Sequence, residues 1–431
     1  MDTVPMKRYD FLCSPLWVGI ALGTAWAVRG QFGHEYGAAW AGAVGSLAAL
    51  LAARRQDWLA RAFYAALAGA IGWGLGGMMS YGLVVGYGRA TDYANACYGL
   101  VMLFVIGGLY GFLGGGLFGM ALSDAPQRPA AWSALIAEMA AGGLVAYYFL
   151  IEQLEWRVNP PRSEAWAVCL GIAAALTWHL LRRRDYPALR VALFAGAGGG
   201  FGFAFGNFLQ ILGHVSGIPF NFWNVMEYSL GFFGGLGLAY GTLTGEWERE
   251  AEPDWIPVHP AFPLAGLVLA IPFILWQQSF GVERIRQTLA PLVAVESASL
   301  LLAVRWGPLF LILALAVLWL VRFRKRSGLT LPQVRAFFFG YWAVYIALSL
   351  LITGAFLSTY RVEQYLYLVN YAAAALAIGF LKPRFSPRPL RPAVLVRTML
   401  GLLALIGLLA GIAIRTHGEL QGAQKRFEVR K

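Results

Sequence analysis

The residues best suited to chemistry in this chain fall into three short groups. The first is Arg29, Gln31, His34 and Glu35, in RGQFGHEYGAAW (29–40). The second is Arg89, Asp92, Tyr93 and Asn95, in GYGRATDYANACY (86–98). The third is Asn207, Gln210, His214, Asn221, Asn224, Glu227 and Tyr228, in GNFLQILGHVSGIPFNFWNVMEY (206–228). Ionisable groups at the edge of apolar segments are costly, and function is the default reading for them. Arg29 can clamp a carboxylate or phosphate through its planar fork of donors. His34 beside Glu35 makes a pair able to handle protons near neutral pH. The residues proposed for substrate binding or ion coupling are Arg29, Gln31, His34, Glu35, Arg89, Asp92, Asn207, Asn224 and Glu227. Tyr, Trp and Phe interleave them, which suits a sugar ring or an organic anion.

Each candidate also has a plain structural explanation. An acid in the first turn of a helix complements the helix dipole, which suffices for Glu164, Glu296 and Glu363. Arg29 and Arg305 can snorkel to an interface. Glu138 is expected to face the interior of the bundle, and His179 to lie at an interface beside the Arg182–Arg184 triplet. No catalytic signature is present: there is no HExxH, no GxSxG and no paired acidic metal motif. Cys13, Cys97 and Cys169 lack metal or disulfide spacing. No metal and no cofactor are expected, and no residue is assigned a catalytic role.

These groups must be positioned by lipid-embedded helices. Of 431 residues, 59% are hydrophobic and 13% charged, against about 25% charged in soluble domains. The expected fold is an all-α polytopic integral membrane protein. Its apolar runs read as thirteen spans (twelve if one is re-entrant): roughly 11–29, 36–53, 60–82, 97–122, 130–151, 164–181, 188–212, 222–243, 261–279, 299–321, 335–358, 364–381 and 392–414. The chain divides into an eight-helix region (1–243), a polar linker (244–260), a five-helix region (261–414) and a charged tail (415–431). The formal net charge is +12. Most of the arginines lie in short loops on the side of Met1, which the positive-inside rule makes cytoplasmic and which leaves the C-terminus outside. Topology therefore accounts for the basic charge, and nucleic acid is not an expected partner. Membrane lipid and a small-molecule substrate are. The bacterial inner membrane is the expected location.

The spans pair into hairpins whose returning helices begin near an acid: Glu35, Asp92, Glu164, Glu227, Glu296 and Glu363. Three share acid–Tyr–x5–Gly: Glu35-Tyr36 with Gly42, Asp92-Tyr93 with Gly99, and Glu227-Tyr228 with Gly234. Gly45 and Gly237 extend the match between the first and fourth hairpins. This predicts an internal repeat of parallel orientation, with the glycine-rich hairpins as close-packing seams. With no GxxxxGK[ST] nucleotide site, the first functional expectation is a secondary transporter for a small polar or anionic solute, with proton coupling through Glu35, His34 and Glu227. The alternative is a membrane-embedded transferase or hydrolase acting at the outer face on a lipid-linked or headgroup substrate, with His34 or Glu35 as base. A third reading is a scaffold subunit with no chemistry of its own.

Overall fold

A computed structural model of the chain describes residues 8–33, 37–248, 255–290, 292, 298–323, 328–357, 361–382 and 385–428. Its elements are helices: α1 (Arg8–Arg29), α2 (Ala38–Ala53), α3 (Gln56–Ala60), α4 (Ala62–Gly76), α5 (Gly82–Gly88), α6 (Tyr93–Ser123), α7 (Trp132–Ala146), α8 (Ser163–Arg182), α9 (Tyr186–Ser216), α10 (Phe222–Thr244), α11 (Ala261–Ala265), α12 (Ile271–Ser279), α13 (Val282–Leu289), α14 (Ala298–Arg322), α15 (Leu331–Ile352), α16 (Val362–Ala377) and α17 (Pro392–Thr416). A π turn extends α7 to Gln153, and another joins α11 to α12.

Among the described residues nine helices are long and apolar enough to cross a membrane: α1, α6, α7 with its extension, α8, α9, the continuous α11–α12, α14, α15 and α17. This is a multi-pass membrane protein, with nine such helices in place of the thirteen spans expected. The four others fail for physical reasons. Helices α2, α4 and α16 have 16, 15 and 16 residues, or about 24 Å of helix at 1.5 Å per residue, against a hydrocarbon layer of about 30 Å. Helix α10 is longer, but Asn224, Glu227 and its glycines dilute its apolar character. An apolar run looks the same in sequence whether lipid or protein covers it, and α2 is covered by protein along nearly its whole length.

Six helices form the frame of the site. Helix α1 packs on α2, α2 on α4, α4 on α6, α6 on α9 and α9 on α10, and α10 closes the ring on α1. Small residues let these backbones approach. A Cβ on Gly111 of α6 would lie 2.1 Å from the Ala195 carbonyl oxygen of α9, and one on Gly237 of α10 would lie 2.0 Å from that of Phe194. Inside the ring, Trp26, Trp73, Tyr110 and Phe203 make an aromatic stack: Trp26 is 5.0 Å from Trp73 and 5.3 Å from Tyr110, and Tyr110 is 6.3 Å from Phe203. Gly42 of α2, Gly114 of α6 and Gly234 of α10 all face the Trp73 indole, where a Cβ would lie 2.6, 2.3 and 3.0 Å from it. Two glycines of the acid–Tyr–x5–Gly signature thus share one packing duty.

The remaining helices sit around this ring. The α7–α8 pair lies against α6, helices α15 and α16 against α1 and α2, the α11–α14 segment against α4 and α2, and α17 against α6 and α9. Helix α17 has only 17% of its apolar window buried, as expected of an outer helix facing lipid.

Candidate functional site

Helix α1 ends at Arg29, where Gly30 and Gly33 stop it. A tightening turn follows, with Gln31 N–H donating to Val28 and Phe32 N–H to Arg29. Gly33 has φ 104°, in the left-handed region that glycine tolerates. The last turn of a helix suits a cation, but Arg29 does not reach water: it is 0% exposed. Its Nη1 donates to Glu227 Oε1 and Oε2 at 3.1 and 3.0 Å and to the Tyr81 hydroxyl at 2.9 Å. The Tyr81 hydroxyl donates in turn to Glu227 Oε1. Trp26 and Tyr81 present their rings to the guanidinium at 5.3 and 5.8 Å, a cation–π setting. Among the described residues, Nε and Nη2 of Arg29 have no acceptor in good hydrogen-bond geometry.

Tyr81 is placed by a break between α4 and α5. Backbone freed inside a membrane protein must find partners among protein groups, and here it does. The Tyr110 hydroxyl donates to the Met79 carbonyl at 3.1 Å, and Asn159 Nδ2 to the Ser80 carbonyl at 2.9 Å. Glu227 is placed by α10, whose N-cap Asn221 accepts from Asn224 N–H at 3.3 Å. Glu227 then lies in the second turn, against Gly30, where a Cβ would lie 3.3 Å from the Glu227 Cγ. Asn224 Nδ2 and the Tyr367 hydroxyl both donate to the Ala27 carbonyl, at 2.9 and 3.2 Å, and Gln31 Nε2 donates to Tyr367 at 3.1 Å.

These groups wall a cavity of about 310 Å³ lined by Gly30, Gln31, Gly33, Tyr81, Gly82, Asn221, Trp223, Asn224 and Glu227. Of the residues singled out from sequence, Gln31, Asn221, Asn224 and Glu227 therefore line one site, with Arg29 buried behind Glu227. His34 and Glu35 lie outside the described residues. Arg89 and Asp92 are elsewhere: Asp92 caps α6 by accepting from Asn95 N–H at 2.9 Å, and Arg89 donates to the Gln421 carbonyl at 3.0 Å. Asn207 donates to Gln210 within α9 at 3.1 Å and does not line the cavity. The acids of the proposed repeat are not equivalent, since Asp92 is an N-cap while Glu227 lies inside its helix. Tyr81, Trp223 and Tyr367 were not foreseen as site residues. The only signal for Tyr81 was the Gly-Gly-Met-Met-Ser-Tyr-Gly break that precedes α5.

No protein-family model, curated protein or solved structure matches the chain. The site is therefore read from its own geometry. Among the described residues no cluster of three His, Cys, Asp or Glu side chains could hold a metal ion.

A second, larger polar cavity of about 890 Å³ lies at the opposite ends of the same ring helices, and Arg61, Asp124, Asp185 and Arg190 are among its walls. Arg61 donates to the Asp124 and Leu122 carbonyls, the last carbonyls of α6, which a cation complements. Burial lowers the Arg61 guanidinium from its usual value, against the pull of Asp57 and Asp124. Burial raises the Asp185 carboxyl, outweighing its bonds from Ser123 and from the Ala188 N–H. His179, in the last turn of α8, is buried, and its Nδ1 is 2.8 Å from Glu138 Oε2. Glu138 is half-buried on the peripheral α7, where Arg182 also bonds it, and does not face the ring interior.

Proposed function

We propose that the protein is a secondary transporter for a small polar or anionic solute, and that the Arg29–Glu227 cavity is its solute site. The observation that carries this is the buried Arg29–Glu227–Tyr81 cluster on the cavity wall beside a broken helix. Paired ionisable groups inside a helical bundle mark substrate and ion pathways, and broken helices at a site are a recurrent transporter device. The second polar cavity adds support, because α10 connects the two. Asn221, Asn224 and Glu227 at its start line the first, and Glu246 and Glu248 just past its end line the second. In this reading the Trp26–Trp73–Tyr110 stack closes the path between them, and Glu227 is the group that carries the coupled proton. A cytoplasmic N-terminus, an outside C-terminus and a bacterial inner-membrane location belong to the same proposal, as does a parallel internal repeat.

The test is uptake into proteoliposomes across a panel of sugars, amino acids and organic acids, with and without an imposed pH gradient. At least one solute should enter faster than into protein-free liposomes, and Glu227→Gln should abolish the response to the gradient. Failure with every solute would turn the reading to an outer-face transferase or hydrolase. Uptake whose pH response survives Glu227→Gln would remove Glu227 from coupling.

A further inference from the structure

The group around Arg89, Asp92 and Asn95 does not itself line the cavity, although the Arg89 guanidinium lies 5.4 Å from the ring of the cavity residue Trp223, and Arg89 and Asn95 bind the C-terminal tail. After α17 ends at Thr416, the chain folds back across α5 and the start of α6. Asn95 is 0% exposed. Its Nδ2 donates to both Asp92 carboxylate oxygens, at 3.0 and 2.9 Å, and to the Phe427 carbonyl at 3.0 Å. Its Oδ1 accepts from the Arg426 and Phe427 N–H groups. One side-chain amide thus reads a peptide backbone as both donor and acceptor, and Asp92 fixes its orientation. Arg89 holds the Gln421 carbonyl, and Gln424 N–H donates to the Gly86 carbonyl at 2.9 Å. Phe427 packs edge-on against Tyr98 with ring centres 5.2 Å apart. The tail lies directly on α5: a Cβ at Gly86 would come within 2.6 Å of Gln424 Cγ and 2.7 Å of the Gly422 carbonyl oxygen.

Helix α5 has seven residues, far too few to be stable alone. It begins at Gly82, which with Tyr81 forms one wall of the cavity. We infer that residues 417–428 are a detachable strap: docked on Gly86, Arg89, Asn95 and Tyr98, they hold α5 and with it the Tyr81–Gly82 wall, and released, they let that wall move. A short tether from α17 keeps the strap at an effective concentration of order millimolar. A weak cradle therefore suffices to dock it, and modest changes suffice to free it.

The test reads α5 directly and is independent of what the cavity carries. Hydrogen exchange of the full chain in nanodiscs is compared with that of a chain ending at Thr416. Removal of the strap should speed exchange of the amides in 82–90 by about tenfold or more, with α9 unchanged. Full-length Asn95→Leu and Gly86→Leu, which keep the tail but spoil its cradle, should show the same local acceleration. A synthetic peptide of residues 417–428 added at millimolar concentration should restore slow exchange to the shortened chain, and a scrambled peptide should not. Unchanged α5 exchange in all three variants overturns the inference. So does acceleration that spreads to α9 or that the peptide fails to reverse.

Discussion

The Arg29–Glu227 pair allows a quantitative test in which each single change should cost at least as much as the two together. Glu227→Gln keeps the size of the side chain and one acceptor for Nη1, but leaves the fully buried Arg29 guanidinium without its counter-charge. At about 4 Å between charge centres and an effective dielectric near 20, the lost attraction is about 4 kcal/mol. That agrees with the roughly 3–5 kcal/mol expected when one partner of a buried pair is removed. Arg29→Gln does the converse: it strands the Glu227 carboxylate, which then keeps, among the described residues, only the Tyr81 hydroxyl as a close donor. The double variant removes both charges and should lose no more than either single. A double-mutant cycle should therefore return a coupling about as large as a single loss, roughly 3–5 kcal/mol. The assay is reversible unfolding in mixed micelles, followed by the fluorescence of the 16 tryptophans. Strict additivity, with coupling under about 0.5 kcal/mol, would refute the claim that these two buried groups stabilise each other.

Packing and titration give two further expectations. Gly237→Ala should destabilise the protein by about 1–3 kcal/mol through overpacking against α9, whereas Gly401→Ala, with open space around its Cβ position, should stay within about 0.5 kcal/mol; thermal unfolding of both checks this, and equal effects would contradict the seam. Asp185 has a carboxyl raised by burial, so its favourable contribution is full below its unfolded value of about 3.9 and declines as pH rises through the higher folded value. Asp185→Asn keeps an acceptor for Ser123 and Ala188 but not the titration. Its melting temperature should gain on wild type as pH rises above about 4, and a gap constant with pH would count against the assignment.

How far the sequence could be read differed from residue to residue. Arg29, Gln31, Asn224 and Glu227 stood out because polar groups in an apolar chain are few, and the fold brings all four to one place. Tyr81 did not stand out, because a tyrosine beside glycines and methionines reads as packing. Its role depends on the α4–α5 break, which aims it across the ring at residues 52 and 146 positions away. Tyr367 reaches Gln31 from 336 positions away, a distance over which no local pattern carries information. Arg89 and Asp92 resembled the other groups in composition, but Asp92 caps α6, and Arg89 binds a tail whose return to α5 is a matter of tertiary structure. The helical membrane character was legible from composition. The number of crossing helices was not, since burial of α2 by protein and burial of α17 by lipid leave the same apolar signature.

The most direct test of the central claim is to fill the cavity without disturbing the fold. Gly82 lines it, and among the described residues a Cβ there would meet no atom within 4 Å, so Gly82→Trp adds an indole at the cavity wall without a clash at its root. The solute identified by the uptake panel should then no longer enter proteoliposomes, while the variant melts at the wild-type temperature. Wild-type uptake by a stable, correctly folded Gly82→Trp protein would contradict the assignment of this cavity as the solute site.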